Sequence, residues 1–95
     1  MTHDEAVEKF TRCCGAGRYV FVRKNKQYGN AITRTGVLGA VVELIGAVAR
    51  LPQMVLKSPD HGRSVRGKLL DVLIDIHNYA SIAIMMIVDG NWEGE

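Results

Sequence analysis

Residues 65–88 combine an almost unbroken apolar composition with a ladder of four polar side chains. The four follow one another at steps of three, four and three residues, and they are Lys68, Asp71, Asp75 and Asn78. These steps place all four on one face of an α-helix. Charges on a helix that is otherwise suited to a core cost free energy unless other groups pair with them. This face therefore either is satisfied by neighbouring helices or lines a site.

The first part of the chain also reads as helix. Thr2 followed by Glu5 is typical of a helix N-terminus, and apolar residues recur after it at helical spacing. The turn Tyr28-Gly29-Asn30 is expected to end this helix, because glycine and asparagine tolerate the left-handed conformation.

Two further helices are expected. One runs from about residue 35 to residue 51, where Pro52 either kinks it or opens a short turn that ends near Lys57. The last is expected to be capped by Ser64 and to end at Gly90. The sequence thus predicts an all-α fold, a bundle of three to four helices, in a single domain over residues 1–95.

The end of the last helix predicts self-association. Residues 82–88 are apolar on every side. A helix that is hydrophobic all round is buried all round, and a small domain covers only part of it. We therefore expect a homo-oligomer with a buried C-terminal helix.

The charge distribution points to an anionic ligand. No acid occurs between residues 10 and 42, a segment with six basic residues: Arg12, Arg18, Arg23, Lys24, Lys26 and Arg34. This acid-free segment is either a solvated helix face or a contact for phosphate groups. The net charge of +2 and the pI of about 8.7 fall short of a duplex nucleic-acid footprint, so duplex nucleic acid is not the expected partner.

Composition favours a cytoplasmic protein without a membrane span. The longest apolar stretch, residues 80–88, is shorter than the roughly 20 residues that cross a bilayer. Acidic residues near the start of the chain do not fit a signal peptide. Cys13 and Cys14 lack partners with metal-ligand spacing, so reduced structural thiols are expected.

Three carboxylates could carry chemistry. Glu43, Asp71 and Asp75 lie on the second and third predicted helices, and facing carboxylates in a helical bundle can hold Mg²⁺. The same three could instead form an ion-pair network with Arg50 and Lys68. A third alternative is direct contact with a polar ligand. Beside them, the Asn78 amide and the Tyr79 ring could contact a base or pack in the core.

Several of these residues belong to a recognisable pattern. Residues 21–31 read FVRKNKQYGNA, Arg50-Leu51 ends the second helix, and Asp71, Asp75-Ile76 and Asn78-Tyr79-Ala80 follow on the last. Over about residues 20 to 87 the chain resembles a small, largely phage-borne family of helical domains named for association with nucleotide modification. More distantly, it is similar to the MazG-like nucleotide pyrophosphohydrolases.

The resemblance to the MazG-like enzymes is incomplete. Those enzymes hold Mg²⁺ with paired glutamates on one helix and a glutamate-aspartate pair on another. Here Gly46 stands where a second glutamate would follow Glu43, and Lys68 stands three residues before Asp71. The resemblance therefore implies nucleotide binding rather than hydrolysis.

We expect a non-catalytic protein of phage type that binds or sequesters a nucleotide, or a nucleotide-derived signal used in host defence, without a cofactor. The alternatives are a Mg²⁺-dependent pyrophosphohydrolase and a helical assembly module without a ligand. Phosphate contacts are expected from Arg23, Lys24, Lys26 and Arg34, with Lys24 foremost. The other expected ligand-binding residues are Tyr28, Asn30, Asp75, Asn78 and Tyr79.

Overall fold

The computed structural model describes residues 1–95, with the exception of the side chain of Ile32. The described chain contains three α-helices: α1 (His3–Gln27), α2 (Gly36–Val48) and α3 (Arg66–Val88). Short 3₁₀ turns lie at Ala31–Thr33 and Arg63–Val65, and a π-helical turn lies at Pro52–Leu56. No strand occurs in the part of the chain that the structure describes, so the expected all-α class is confirmed.

Both ends of α1 follow the sequence prediction. The Thr2 hydroxyl accepts a hydrogen bond from the Glu5 amide at 3.2 Å, which caps the helix N-terminus. At the other end Tyr28 is the cap residue, and Gly29 and Asn30 both adopt left-handed backbone angles, with φ of 60° and 64°. This turn directs the chain from α1 back towards α2.

Helix α2 ends earlier than the predicted boundary near residue 51. It stops at Val48, and after Leu51 the backbone winds into the π-helical turn Pro52–Leu56. Lys57 closes this turn by donating its amide hydrogen to the Pro52 carbonyl at 2.9 Å. Of the two alternatives for Pro52, the structure has the short new turn ending near Lys57.

The expected cap of α3 is wrong. Ser64 lies inside the 3₁₀ turn, and the cap position is taken by Val65, which makes no capping hydrogen bond. The carboxylate of Asp60 instead accepts hydrogen bonds from the backbone amides of Gly62 at 3.2 Å and Ser64 at 2.9 Å, in the loop and 3₁₀ turn that precede α3. Hydrogen bonds from Ser58 and Ser64 lower the pKa of this carboxyl group. Helix α3 ends at Val88, just before Gly90.

The core lies between α2 and α3. Its buried members are Val37, Ala40, Ile82, Ala83 and Met86. Phe21 of α1 packs against the same cluster and is partly buried. The small side chains on α2 bring this helix close to α3, so the two form the central pair of the fold.

Helix α1 crosses α3 at Gly17. The amide of Asn78 donates a hydrogen bond to the Gly17 carbonyl at 3.0 Å, and both residues are buried. A Cβ atom at position 17 would lie 2.7 Å from Nδ1 of His77. Glycine therefore permits the close approach of the two helices here, since a larger residue would displace the side chains of His77 and Asn78.

The last residues dock against the connection between α1 and α2. The Val37 amide donates to the Trp92 carbonyl at 3.0 Å, and the Glu95 amide donates to the Thr33 carbonyl at 3.3 Å. Gly36 and Gly94 have positive φ angles of 70° and 92° at this contact. The tail thereby braces the turn that follows α1.

Much apolar surface stays uncovered. Ile82, Ala83 and Met86 are buried, but Ile84 and Val88 are 61% and 77% exposed. A single chain therefore does not bury all sides of the C-terminal helix. The first half of α1, residues 3–16, is also almost wholly exposed.

Two helical segments, Gly36–Leu56 and Arg63–Val88, are long and apolar enough to cross a membrane by length and composition. Core helices of soluble proteins have the same properties, so one or two such segments are weak evidence for a membrane span. The absence of a membrane span therefore stays a prediction from the sequence.

Candidate functional site

A cleft opens between the C-terminal half of α1 and the middle of α3. Its volume is about 290 Å³, and its lining residues are Phe21, Lys24, Asn25, Tyr28, Ala31, Asp75, Asn78 and Tyr79. Lys24, Asn25 and Tyr28 come from one face of α1, and Asp75, Asn78 and Tyr79 from one face of α3. Five of the nine residues expected to bind ligand are among them: Lys24, Tyr28, Asp75, Asn78 and Tyr79.

An ion pair spans the cleft. Nζ of Lys24 donates a hydrogen bond to Oδ1 of Asp75 at 3.0 Å. The Lys24 side chain is 51% exposed and that of Asp75 is 25% exposed. The hydrogen bond to Asp75 is the main reason that the pKa of Lys24 is raised. The site thus holds a cation and a carboxylate that are both reachable from solvent.

Two tyrosines border this ion pair. Tyr28 is well exposed and Tyr79 is partly buried, and both line the cleft. Burial is the main cause that raises the pKa of Tyr79, followed by the carboxylates of Asp75 and Glu43. Its phenol is therefore neutral at ordinary pH and can donate a hydrogen bond.

The amide of Asn25 is the least satisfied group in the cleft. Its Oδ1 atom is buried, and it has no hydrogen-bond partner among the described residues. A buried acceptor without a donor costs about 1–3 kcal/mol. Asn25 lies within the motif of residues 21–31 but is not among the residues that the sequence predicts to bind ligand, because an unsatisfied carbonyl arises only from the folded surroundings.

The amide of Asn78 is already engaged. It donates to the Gly17 carbonyl, and its Oδ1 lies 2.9 Å from Nδ1 of His77. Asn78 lines the cleft, but these bonds hold α1 on α3 and leave the amide little capacity for a ligand. The structure thus has the core-packing alternative for this residue.

The remaining four expected ligand residues do not line the cleft. The guanidinium of Arg23 lies 5.8 Å from the centre of the Tyr19 ring. Lys26 is exposed on α1. Only Lys24 of the four expected phosphate ligands therefore reaches the cleft, and the acid-free segment does not form one basic wall.

Asn30 and Arg34 serve the turn after α1. The Asn30 amide donates to the Glu95 carboxylate at 3.1 Å, which also accepts from the Thr33 hydroxyl at 3.1 Å. Arg34 donates to the Gly29 carbonyl at 3.5 Å. These contacts fix the backbone next to Tyr28, so both residues support the site indirectly.

The cleft continues as a groove along the polar ladder of α3. A cavity of about 140 Å³ lies next to it, lined by Glu43, Arg50, Asp75 and Tyr79 among others. A cavity of about 280 Å³ follows, with Arg50, Lys68, Asp71 and Asp75 in its lining. Shared lining residues connect these cavities, so we describe them as one groove.

The alternative of an ion-pair network is wrong. The ion pairs within 4.0 Å among the described side chains are Lys24–Asp75 and Arg12–Glu8. Asp75 forms its ion pair with Lys24 of α1 and not with Arg50 or Lys68. Among the described residues, no group of three or more His, Cys, Asp or Glu side chains is close enough to hold a metal ion.

Comparisons with models of protein families, with curated proteins and with solved structures found no significant match to this chain.

Proposed function

We propose that the protein binds a nucleotide, or a signal derived from one, in the cleft between α1 and α3, without hydrolysing it. The observation that carries this proposal is the Lys24–Asp75 ion pair, set between the Tyr28 and Tyr79 rings beside the unsatisfied Asn25 carbonyl. Aromatic rings, a hydrogen-bond acceptor and a charged pair together suit a base with its sugar.

The tyrosine rings and the Asp75 carboxylate each have a partner on the ligand. A base would stack on the tyrosine rings. Hydroxyl groups of the ribose would donate to the carboxylate of Asp75. Lys24 holds this carboxylate in position through the hydrogen bond of 3.0 Å across the cleft.

Binding without hydrolysis fits the sparse carboxylates. Efficient two-metal hydrolysis needs several acids around the reacting phosphate. In the cleft the Asp75 carboxylate already accepts a hydrogen bond from the Lys24 ammonium at 3.0 Å. A metal ion at Asp75 would have to displace this ammonium group. We therefore expect nucleotides to remain intact in the presence of Mg²⁺ or Mn²⁺, and turnover that disappears in Asp75→Asn would favour the enzyme alternative instead.

Calorimetric titration with a panel of mono-, di- and cyclic nucleotides tests the binding itself. We expect Lys24→Ala to weaken affinity by about tenfold, because it frees the Asp75 charge and loses a charge-assisted hydrogen bond. Lys26→Ala is the matched control, since it removes the same charge from an exposed position two residues away. Equal effects of the two substitutions would contradict the site.

The biological role rests on the resemblance to phage-borne nucleotide-associated domains. A small protein that binds without turnover would sequester its nucleotide, and the resemblance suggests a signal used in host defence. Co-purification of a nucleotide with the protein, read by mass spectrometry, tests this role. The sequestering role would be contradicted if no nucleotide co-purifies with the protein and if the protein protects no nucleotide from degradation.

We also propose that the chain works as a homo-oligomer. Its accessible surface is 7074 Å², whereas a compact monomer of 10.5 kDa has about 5,400 Å². The difference of roughly 1,600 Å² for one chain is about twice the roughly 800 Å² that each partner contributes to a standard protein–protein interface. Exposed apolar side chains on all three helices supply the surface that a second copy would cover.

A further inference from the structure

A further cavity lies at the far end of the groove. It has a volume of about 590 Å³ and is lined by Arg50, Lys57 and Lys68, with apolar walls that include Met54 and Val65. We call these three cations and their cavity the cationic basin. No acidic residue lines it, and none of the three cations is in an ion pair within the described part of the chain.

Three separate elements bring these cations together. Arg50 follows α2, Lys57 closes the π-helical turn Pro52–Leu56, and Lys68 lies in the first turn of α3. Short π-helical turns recur at functional sites in proteins. Like charges held around one concavity repel one another, so an anion that neutralises them is favoured there.

Phosphate is the anion that best fits this set. The planar guanidinium of Arg50 can donate two parallel hydrogen bonds to one phosphate group. Lys57 and Lys68 add mobile point charges that suit neighbouring phosphate oxygens. All three lie outside the acid-free segment, so its basic residues gave no indication of the basin.

The groove links the basin to the nucleotide cleft. Arg50 and Lys68 line both the basin and the adjoining cavity, which Asp75 also lines. Lys68 and Tyr79 are eleven positions apart on α3, which corresponds to about 16 Å. The carboxylates of Asp71 and Asp75 lie between these ends and suit hydroxyl donors of a sugar better than phosphate.

We propose that the cationic basin is a phosphate-binding subsite for a nucleotide that bears more than one phosphate group. Base and ribose would lie between Tyr79 and Asp75, and the phosphate chain would extend past Arg50 to Lys57 and Lys68. A single phosphate attached to the ribose would meet Arg50, which also lines the cavity beside Asp75 and Tyr79, whereas contact with Lys57 and Lys68 needs a longer phosphate chain. This inference rests on the proposed function for the orientation of the ligand.

Inorganic tripolyphosphate tests the basin alone, because it has phosphates but no base. We expect calorimetry to show binding that Lys68→Ala weakens by about tenfold, or about 1.4 kcal/mol. Lys57→Ala is a second variant on another element and should weaken binding in the same direction. Arg66→Ala is the matched control, since this exposed cation on α3 does not line the basin.

A nucleoside and its mono- and triphosphates, titrated into the wild-type protein, separate the two proposals. Affinity that rises from monophosphate to triphosphate supports the subsite. Tripolyphosphate binding that depends on Lys68, with no binding of any nucleoside, would keep the basin and overturn the nucleotide cleft. The basin alone would be overturned if nucleotides bind with the same affinity whatever their number of phosphates, and if Lys68→Ala and Arg66→Ala weaken this affinity equally.

Discussion

Two glycines of α1 have different roles, although they are two positions apart. A Cβ atom at Gly17 would meet His77 and Asn78 at 2.7 Å and 2.9 Å, whereas nothing lies within 4 Å of a Cβ at Gly15. Gly17 marks the point at which α1 and α3 touch. Gly15 only lowers the helix propensity of an exposed stretch.

Alanine at each glycine tests this difference. We expect Gly15→Ala to raise the free energy of unfolding by about 0.5–1 kcal/mol, because alanine favours the helix. Gly17→Ala should lower it by about 1–2 kcal/mol, because Asn78 must move and lose its buried hydrogen bond. Urea unfolding of both variants measures these values, and a stabilised Gly17→Ala protein would contradict the close crossing.

The titration of Tyr79 reports on the groove. Its raised pKa means that the folded state favours the neutral phenol, so this contribution to stability is complete below pH 10.0 and is lost as pH rises through the folded pKa. We expect Asp75→Asn to lower the pKa of Tyr79 part of the way, because burial, the larger cause, remains.

Ultraviolet absorbance titration measures this pKa, with Tyr79→Phe used to assign the signal. Tyr19→Phe serves as the control, because Tyr19 lies outside the cleft. An unchanged titration of Tyr79 in Asp75→Asn would show that the carboxylate does not face the ring.

At the residue scale the sequence predicted the centre of the cleft better than its rim. Lys24 and Asp75 could be identified because helical spacing and charge on an apolar helix are local properties. Asn25 could not, since its unsatisfied carbonyl depends on what surrounds it after folding. The sequence also predicts Asn78 as a site residue, but only the crossing helix reveals that its amide donates to the Gly17 carbonyl.

At the scale of elements, helix type was predictable and helix ends were less so. Ser64 and Asp60 are both good caps, and the sequence does not tell which one the loop brings to the amides of the turn. The docking of the tail was also not predictable, because it joins residues far apart in sequence. Two glycines with positive φ, Gly36 and Gly94, make that contact possible.

The tail offers a test at this scale. A Cβ atom at Gly94 would overlap the Arg34 carbonyl, so Gly94→Ala should release the tail. We expect the Val37 amide, which donates to the Trp92 carbonyl, to lose protection in hydrogen exchange. Glu93→Ala is the control on the same segment, and unchanged protection of Val37 in Gly94→Ala would contradict the docked tail.

The whole molecule is more open than a compact domain of its length. Its radius of gyration is 15.0 Å, against about 12 Å for a compact chain of 95 residues. Phe10 on α1, Ile45 on α2 and Ile84 on α3 are all more than half exposed. The apolar pattern predicted that such surface needs a partner, but a pattern along one chain does not give the geometry of an interface.

Two aspartate substitutions on α3 separate assembly from folding. Ile84→Asp should dissociate the oligomer without unfolding the chain, because this side chain is 61% exposed in the single chain. Met86→Asp should unfold it, since the residue is 2% exposed and a buried unpaired charge costs several kcal/mol. Light scattering and circular dichroism distinguish the outcomes, and a monomeric wild type at micromolar concentration would contradict self-association.

The central claim is that the cleft between α1 and α3 binds a nucleotide. Two-dimensional amide NMR spectra of the isotope-labelled protein, recorded during addition of each nucleotide of the panel, test it most directly. We predict that at least one nucleotide shifts amides in residues 21–31 and 75–79, with saturation as its concentration rises. Spectra that no nucleotide changes, or shifts confined to residues outside the groove, would contradict the claim.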